Sequence, residues 1–192
     1  THEHRAWTTR EILTTRNFWL PVIALLPLSM AFGGVQFNLA AYAQDLGNSV
    51  SQAAWLISVL SLAMIIGKLF FGFMADRVEH RNLYWLAAGF MCLTLIGLQG
   101  DPSYLVLVLC SVSMGLAVGG LLPLMGAIYS HRFGARSFGR VMGLVTMIIT
   151  IGGFGPLIAG AVFDATGNYD AAFILFLAVL IPAALGMLGL KR

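Results

Sequence analysis

Six long apolar runs, joined by connectors that are alternately basic and acidic, leave this chain few folds to choose from. The runs occupy residues 18–43, 53–75, 83–98, 104–129, 141–163 and 171–190. About 20 helical residues cross a hydrocarbon core of ~30 Å, and most of the runs are long enough. Arg5, Arg10 and Arg16 precede the first run, and Arg77 and Arg81 join the second to the third. Arg132, Arg136 and Arg140 join the fourth to the fifth, and Lys191 and Arg192 end the chain. The other connectors hold Asp45, Asp101, Asp164 and Asp170 and no lysine or arginine. Ten of the 11 cations therefore fall on one side, the bias that keeps short basic loops in the cytoplasm. Both termini are expected there. The pattern predicts an all-α, multi-pass membrane protein with a cytoplasmic linker at 1–17 and a six-helix transmembrane bundle over 18–192.

Composition excludes several other classes. Apolar residues make up 59% of the chain and charged residues only 10%, outside the soluble globular range. The net charge of +3 is accounted for by topology and gives no reason to expect nucleic-acid binding. Cys92 and Cys110 lie inside runs and read as small buried apolar residues, so neither a disulfide framework nor a metal site is expected. No cofactor is expected either. His2 and His4, on a polar tail, read as solvated. The chain starts at Thr1, with an Arg-rich polar stretch and no cleavable signal, which reads as a linker entering from something upstream. A piece of a longer protein is expected.

Helix breakers concentrate in three runs. Pro21 and Pro27 can kink the first, which also carries Gly33, Gly34, Gln36 and Asn38. The fourth holds Gly115, Gly119, Gly120 and Pro123, and the fifth Gly143, Gly152, Gly153, Gly155, Pro156 and Gly160. Gly115 and Gly119 share a helix face, as do Gly153 and Gly160, and such faces let helices approach closely. Gly and Pro clusters of this kind also suit a bundle that rocks between states.

Gly72-Phe-Met-Ala-Asp76-Arg77-Val-Glu-His-Arg81 resembles the G-x-x-x-D-R-x-G-R-R signature of major facilitator superfamily transporters. Glu79 and His80 depart from it, standing where the family prefers Gly and a basic residue. Gly134-Ala-Arg-Ser-Phe-Gly139-Arg140-Val-Met-Gly143 is similar to a second stretch of that superfamily. So is Gly155-Pro156-x3-Gly160-x3-Asp164-x2-Gly167-x-Tyr169-x3-Phe173. The last two resemble the monocarboxylate-porter and oxalate/formate-exchanger branches. The resemblance implies the second half of the fold, helices seven to twelve, with an N-terminal six-helix half as partner. It implies a secondary transporter in the plasma or inner membrane, not an enzyme, working by alternating access as a symporter or antiporter.

By the same resemblance, Asp76 latches across to a helix N-terminus of the upstream half, with Gly72, Arg77 and Arg81 around it. Ser137 to Arg140 would offer a helix N-terminus to the upstream half's own aspartate. The alternative is an ordinary surface pair of Asp76 with Arg77 or Arg81, worth at most about 1 kcal/mol.

Lys68 lies eight residues before Asp76, ~12 Å along a helix axis and inside the hydrocarbon zone. An ionised lysine there costs ~2.5–3.5 kcal/mol unless it snorkels or faces a wet cavity. Its place four residues before Gly72 resembles the cationic residue of the eighth helix in monocarboxylate and oxalate carriers, which holds a carboxylate. No Asp or Glu lies within any run, so a lone cation argues for an anionic cargo such as a mono- or dicarboxylate. Gln36 and Asn38 are the next candidates for lining the cavity, on different helix faces because they are two residues apart. Ser111, Ser113, Thr146 and Thr150 read as bonded to their own helices, and Tyr42, Trp19, Trp55 and Trp85 as an aromatic belt. An intramembrane serine protease needs a His in a run, and none is there. A self-contained six-helix channel or receptor-like module remains the alternative.

Overall fold

The computed structural model describes residues 6–187. His2, His4, Arg5, Lys191 and Arg192 lie outside the described residues. The chain is helical throughout, with no strand among those residues. A short helix α1 (Thr9–Thr14) precedes six rods. They are α2 (Arg16–Asp45), α3 (Val50–Ala75), α4 (His80–Gly97), α5 with α6 (Tyr104–Gly119 and Leu121–Phe133), α7 with α8 (Ala135–Ile149 and Gly155–Thr166), and α9 (Asp170–Gly186). A 3₁₀ turn at Thr150–Phe154 joins α7 to α8.

Among the described residues, Arg16–Asp45, Val50–Ala75, Tyr104–Phe133 and Ala135–Thr166 are long and apolar enough to cross a membrane, and Asp170–Gly186 is apolar but shorter. The third run falls outside that set because α4 opens on His80, Arg81 and Asn82, which leave it a short apolar stretch.

Local chemistry sets the ends of the rods. Ser49 and Gln52 form a reciprocal capping box that starts α3. Gly134, at φ +72°, is the only residue between α6 and α7, and Gly167, at φ +77°, ends α8 in the left-handed conformation. Pro21 and Pro27 do not break α2, which runs continuously through both with their rings buried. The interruptions fall in the fourth and fifth rods instead, at Gly120 and at the 3₁₀ turn. There glycines allow another backbone to come close.

Two seams hold the bundle. On α3 the buried residues Ala53, Leu56, Leu60, Ala63, Gly67 and Phe71 form one narrow stripe facing α5. A Cβ at Gly67, Gly115 or Gly119 would lie 2.7 Å or less from a backbone oxygen of the facing helix. The second seam joins α2 to the fifth rod through Gly34, Gly152 and Gly155. The packing pattern repeats when the first three rods are exchanged with the last three. The second rod packs on the fourth as the fifth packs on the first, and the third on the fourth as the sixth on the first. Successive rods alternate in direction, so the repeat is an inverted one.

Buried tyrosine hydroxyls tie the rods to one another. Tyr84 donates to the Ala24 carbonyl at 2.9 Å and Tyr129 to the Phe18 carbonyl at 3.0 Å. Tyr42 is buried, not part of a belt. Its hydroxyl reaches the carbonyls of Leu98 and Gly100, whose N–H donates to Asp170 at 3.0 Å. These contacts gather Asp45, Asp101 and Asp170 at one end of the bundle. Arg77, His80, His131 and Arg136 meet at the other. The alternating connectors therefore segregate in space, as their charges predict.

Candidate functional site

Lys68 lies on the flank of α3, next to Gly67 of the packed stripe, and is exposed. Its backbone is fixed from behind, because a Cβ at Gly119 would sit 2.9 Å from the Lys68 nitrogen and 2.4 Å from the Met64 carbonyl. The interruption between α5 and α6 thus lies directly behind the lysine. Ser58 and Ser61, on the same helix, donate to the carbonyls of Ala54 and Ile57, four residues back. Lys68 is therefore the charged group that α3 offers along its apolar length. As a point charge it suits an anion, without the planar fork of an arginine.

Gln36 and Asn38 diverge on α2. Asn38 donates to the Gly34 carbonyl of its own helix at 2.9 Å and accepts from the Tyr169 hydroxyl, at the start of the last rod, at 3.3 Å, so both ends of its amide are engaged. Gln36 is half-buried. Ser111 and Thr150 bond their own helices, whereas Ser113 crosses to the Phe90 carbonyl of α4.

At the basic end, Asp76 is exposed and lines a groove of about 840 Å³ between the α3–α4 and α6–α7 connectors. The surface pairs weighed for it do not form among the described residues. Arg77 donates to the Phe73 carbonyl at 3.0 Å and lies over the Phe73 ring, and Arg81 pairs with Glu79 at 3.6 Å. Gly72 faces open space. Burial first, and then His131, pushes His80 below the ordinary histidine range, with Arg132 adding to the effect.

The start of α7 is occupied from within the chain. The Trp7 N–H donates to buried Ser137 at 2.8 Å, Arg140 donates to the Trp7 carbonyl, and the Trp7 ring meets Phe133 edge-on at 5.3 Å. The stretch read as a linker is thus docked against the residues read as a latch acceptor. Thr8 and Glu11 continue it into α1 through a capping box.

The glycines assigned to packing and hinging separate into two groups. Gly115, Gly119 and Gly155 meet neighbouring backbones, and the Pro156 ring lies beside Gly33, 3.4 Å from where a Cβ would sit. Gly153 and Gly160 both face open space. Gly67 and Gly152 carry the seams as much as any of these; Gly152 reads in the sequence only as one of the fifth run's helix breakers, and Gly67 escapes the sequence reading. Ala63 and Gly67 repeat the four-residue spacing of Gly115 and Gly119, which was the available signal.

Comparison with known proteins agrees with this architecture. A family model described as Major Facilitator Superfamily matches residues 4–192. Monocarboxylate transporter 12 of Homo sapiens is 33% identical over 161 residues, covering 80% of this chain and 31% of its own length. Monocarboxylate transporter 13 of Rattus norvegicus is 29% identical over 167 residues, 84% of this chain and 39% of its own. An agnestins efflux protein of Paecilomyces divaricatus is 26% identical over 154 residues, 80% of this chain and 36% of its own. The chain spans about a third of the length of these curated relatives. The helical architecture, the apolar spans and the match over nearly the whole chain place it in the Major Facilitator Superfamily, as a multi-pass membrane protein of a transporter family.

Proposed function

We propose that this chain is the C-terminal six-helix half of a secondary active transporter that moves a small organic anion, a mono- or dicarboxylate, by alternating access. The observation that carries the proposal is Lys68, an exposed cation within an apolar span, on the flank of a helix whose neighbouring stripe is locked to α5. A lysine at that depth is tolerated when it faces water or a counter-charge, and a carboxylate cargo supplies the counter-charge. The relatives named as monocarboxylate transporters support the substrate class. The second and fifth rods are the least buried of the long spans, which supports an upstream half covering them. In this reading both termini are cytoplasmic, in the plasma or inner membrane, and Asp76, exposed at the basic end, latches to the upstream half.

Lys68→Gln and Lys68→Arg variants of the full-length protein test the assignment. Carboxylate uptake into proteoliposomes should fall by about a hundredfold in the glutamine variant, the loss of a charge-assisted bond worth about 1.5–3 kcal/mol. It should be partly retained in the arginine variant. Unchanged kinetics in Lys68→Gln would remove Lys68 from the substrate site.

A further inference from the structure

The groove at the basic end has features that a latch alone does not use. Two connectors distant in sequence bring four basic residues, Arg77, His80, His131 and Arg136, into the wall of one groove with the single carboxylate of Asp76, the Arg77 guanidinium being turned onto Phe73. The His80 and His131 rings touch edge-on, with centroids 5.9 Å apart. The groove's volume of about 840 Å³ falls within the range of small-ligand sites, roughly 300–1,000 Å³. Gly134, the cap of α7, and Ala135 and Arg136 in its first turn form part of the wall, so the positive end of that helix lies beside the groove.

We propose that this groove binds a phosphate-bearing anion. The proposal is independent of the cargo assignment. A phosphate between the two connectors offsets the positive charge gathered there and accepts bonds from both. Two sources share this chemistry: the headgroup of an anionic lipid in the adjoining leaflet, and a soluble phosphate. His80 is influenced by the Ala75 carbonyl and Asp76 at the end of α3 and by His131 and Arg132 on α6. Arg77 and Arg136 line the same groove, and Glu79 and Arg81, paired with each other, flank His80 in sequence. A bound anion favours the charged imidazole, which burial and His131 otherwise disfavour. Binding therefore takes up a proton and tightens as pH falls through the His80 range.

The test uses full-length protein in detergent and a His131→Gln/Arg136→Gln double variant, with monodispersity as the control for folding. Native mass spectrometry reads retention of phosphatidylglycerol over phosphatidylcholine, and calorimetry reads binding of inorganic phosphate. Native protein should prefer phosphatidylglycerol by about tenfold, and the double variant should lose that preference. Phosphate binding without a lipid preference, lost in the same variant, assigns the groove to a soluble phosphate. A His80→Gln variant, measured alongside, should show a smaller strengthening between about pH 7.5 and about pH 5.5 than the native protein. If neither probe binds native protein, or if the double variant binds both as tightly as native, the proposal is overturned.

Discussion

Gly155→Ala is the sharpest probe of how the fifth rod is held. A Cβ at this position would lie 2.1 Å from the Met30 carbonyl oxygen and 3.0 Å from the Gly34 nitrogen, both backbone atoms of α2. No side chain can swing away to relieve the overlap, so the two rods must part by about 1 Å. Overpacking a tight contact costs ~1–3 kcal/mol, and a backbone-on-backbone seam belongs at the top of that range. The better helix propensity of alanine returns up to ~1 kcal/mol, leaving a net loss of about 2 kcal/mol. Gly89→Ala on α4 is the control. A Cβ there meets nothing within 4 Å, so only the propensity gain of up to ~1 kcal/mol applies. Thermal unfolding of full-length protein in detergent, followed by loss of the monodisperse peak, should show the two variants moving in opposite directions. The reasoning fails if Gly155→Ala matches the native protein, or if both variants shift alike.

Two further predictions concern the ends of the bundle. Tyr42→Phe removes the hydroxyl shared by the Leu98 and Gly100 carbonyls and should cost about 1–3 kcal/mol, with faster amide exchange at the α4–α5 connector as a second sign. Wild-type exchange there would show that the tie does not restrain the connector. Asp76→Asn should weaken closure at the basic end, raising the labelling rate of a cysteine placed on that side of the cavity several-fold. Equal labelling in both proteins would return Asp76 to an ordinary surface charge.

Much of the architecture was legible because lipid-crossing helices leave coarse marks: run length, connector charge and glycine clusters. The bundle's two ends followed from Arg77, Arg136, Asp45 and Asp101 with no further information. Pairwise contacts were less legible. Nothing in the spacing of Gly153 and Gly160 says that they face outward while Gly152 and Gly155 face α2, since the 3₁₀ turn at Thr150–Phe154 resets the helical phase between them. Tyr42, Tyr84 and Tyr129 near span ends fit an aromatic belt equally well, and only the carbonyls opposite them decide the matter. Trp7 was beyond reach for a different reason. Its bonds to Ser137 and Arg140 span some 130 residues, and no local pattern encodes a contact between a connector and a leading segment. At the candidate site, Lys68 stood out by its depth alone, whereas the bond from Tyr169 to Asn38 required the sixth rod to be in place.

The measurement closest to the central claim is counterflow of a labelled monocarboxylate in proteoliposomes holding the full-length protein. An alternating-access carrier reorients faster when loaded on both sides. Vesicles preloaded with unlabelled substrate should therefore take up label several times faster than empty ones, with saturation as the external concentration rises. Flux that is linear in concentration and indifferent to preloading would contradict a carrier and indicate a pore.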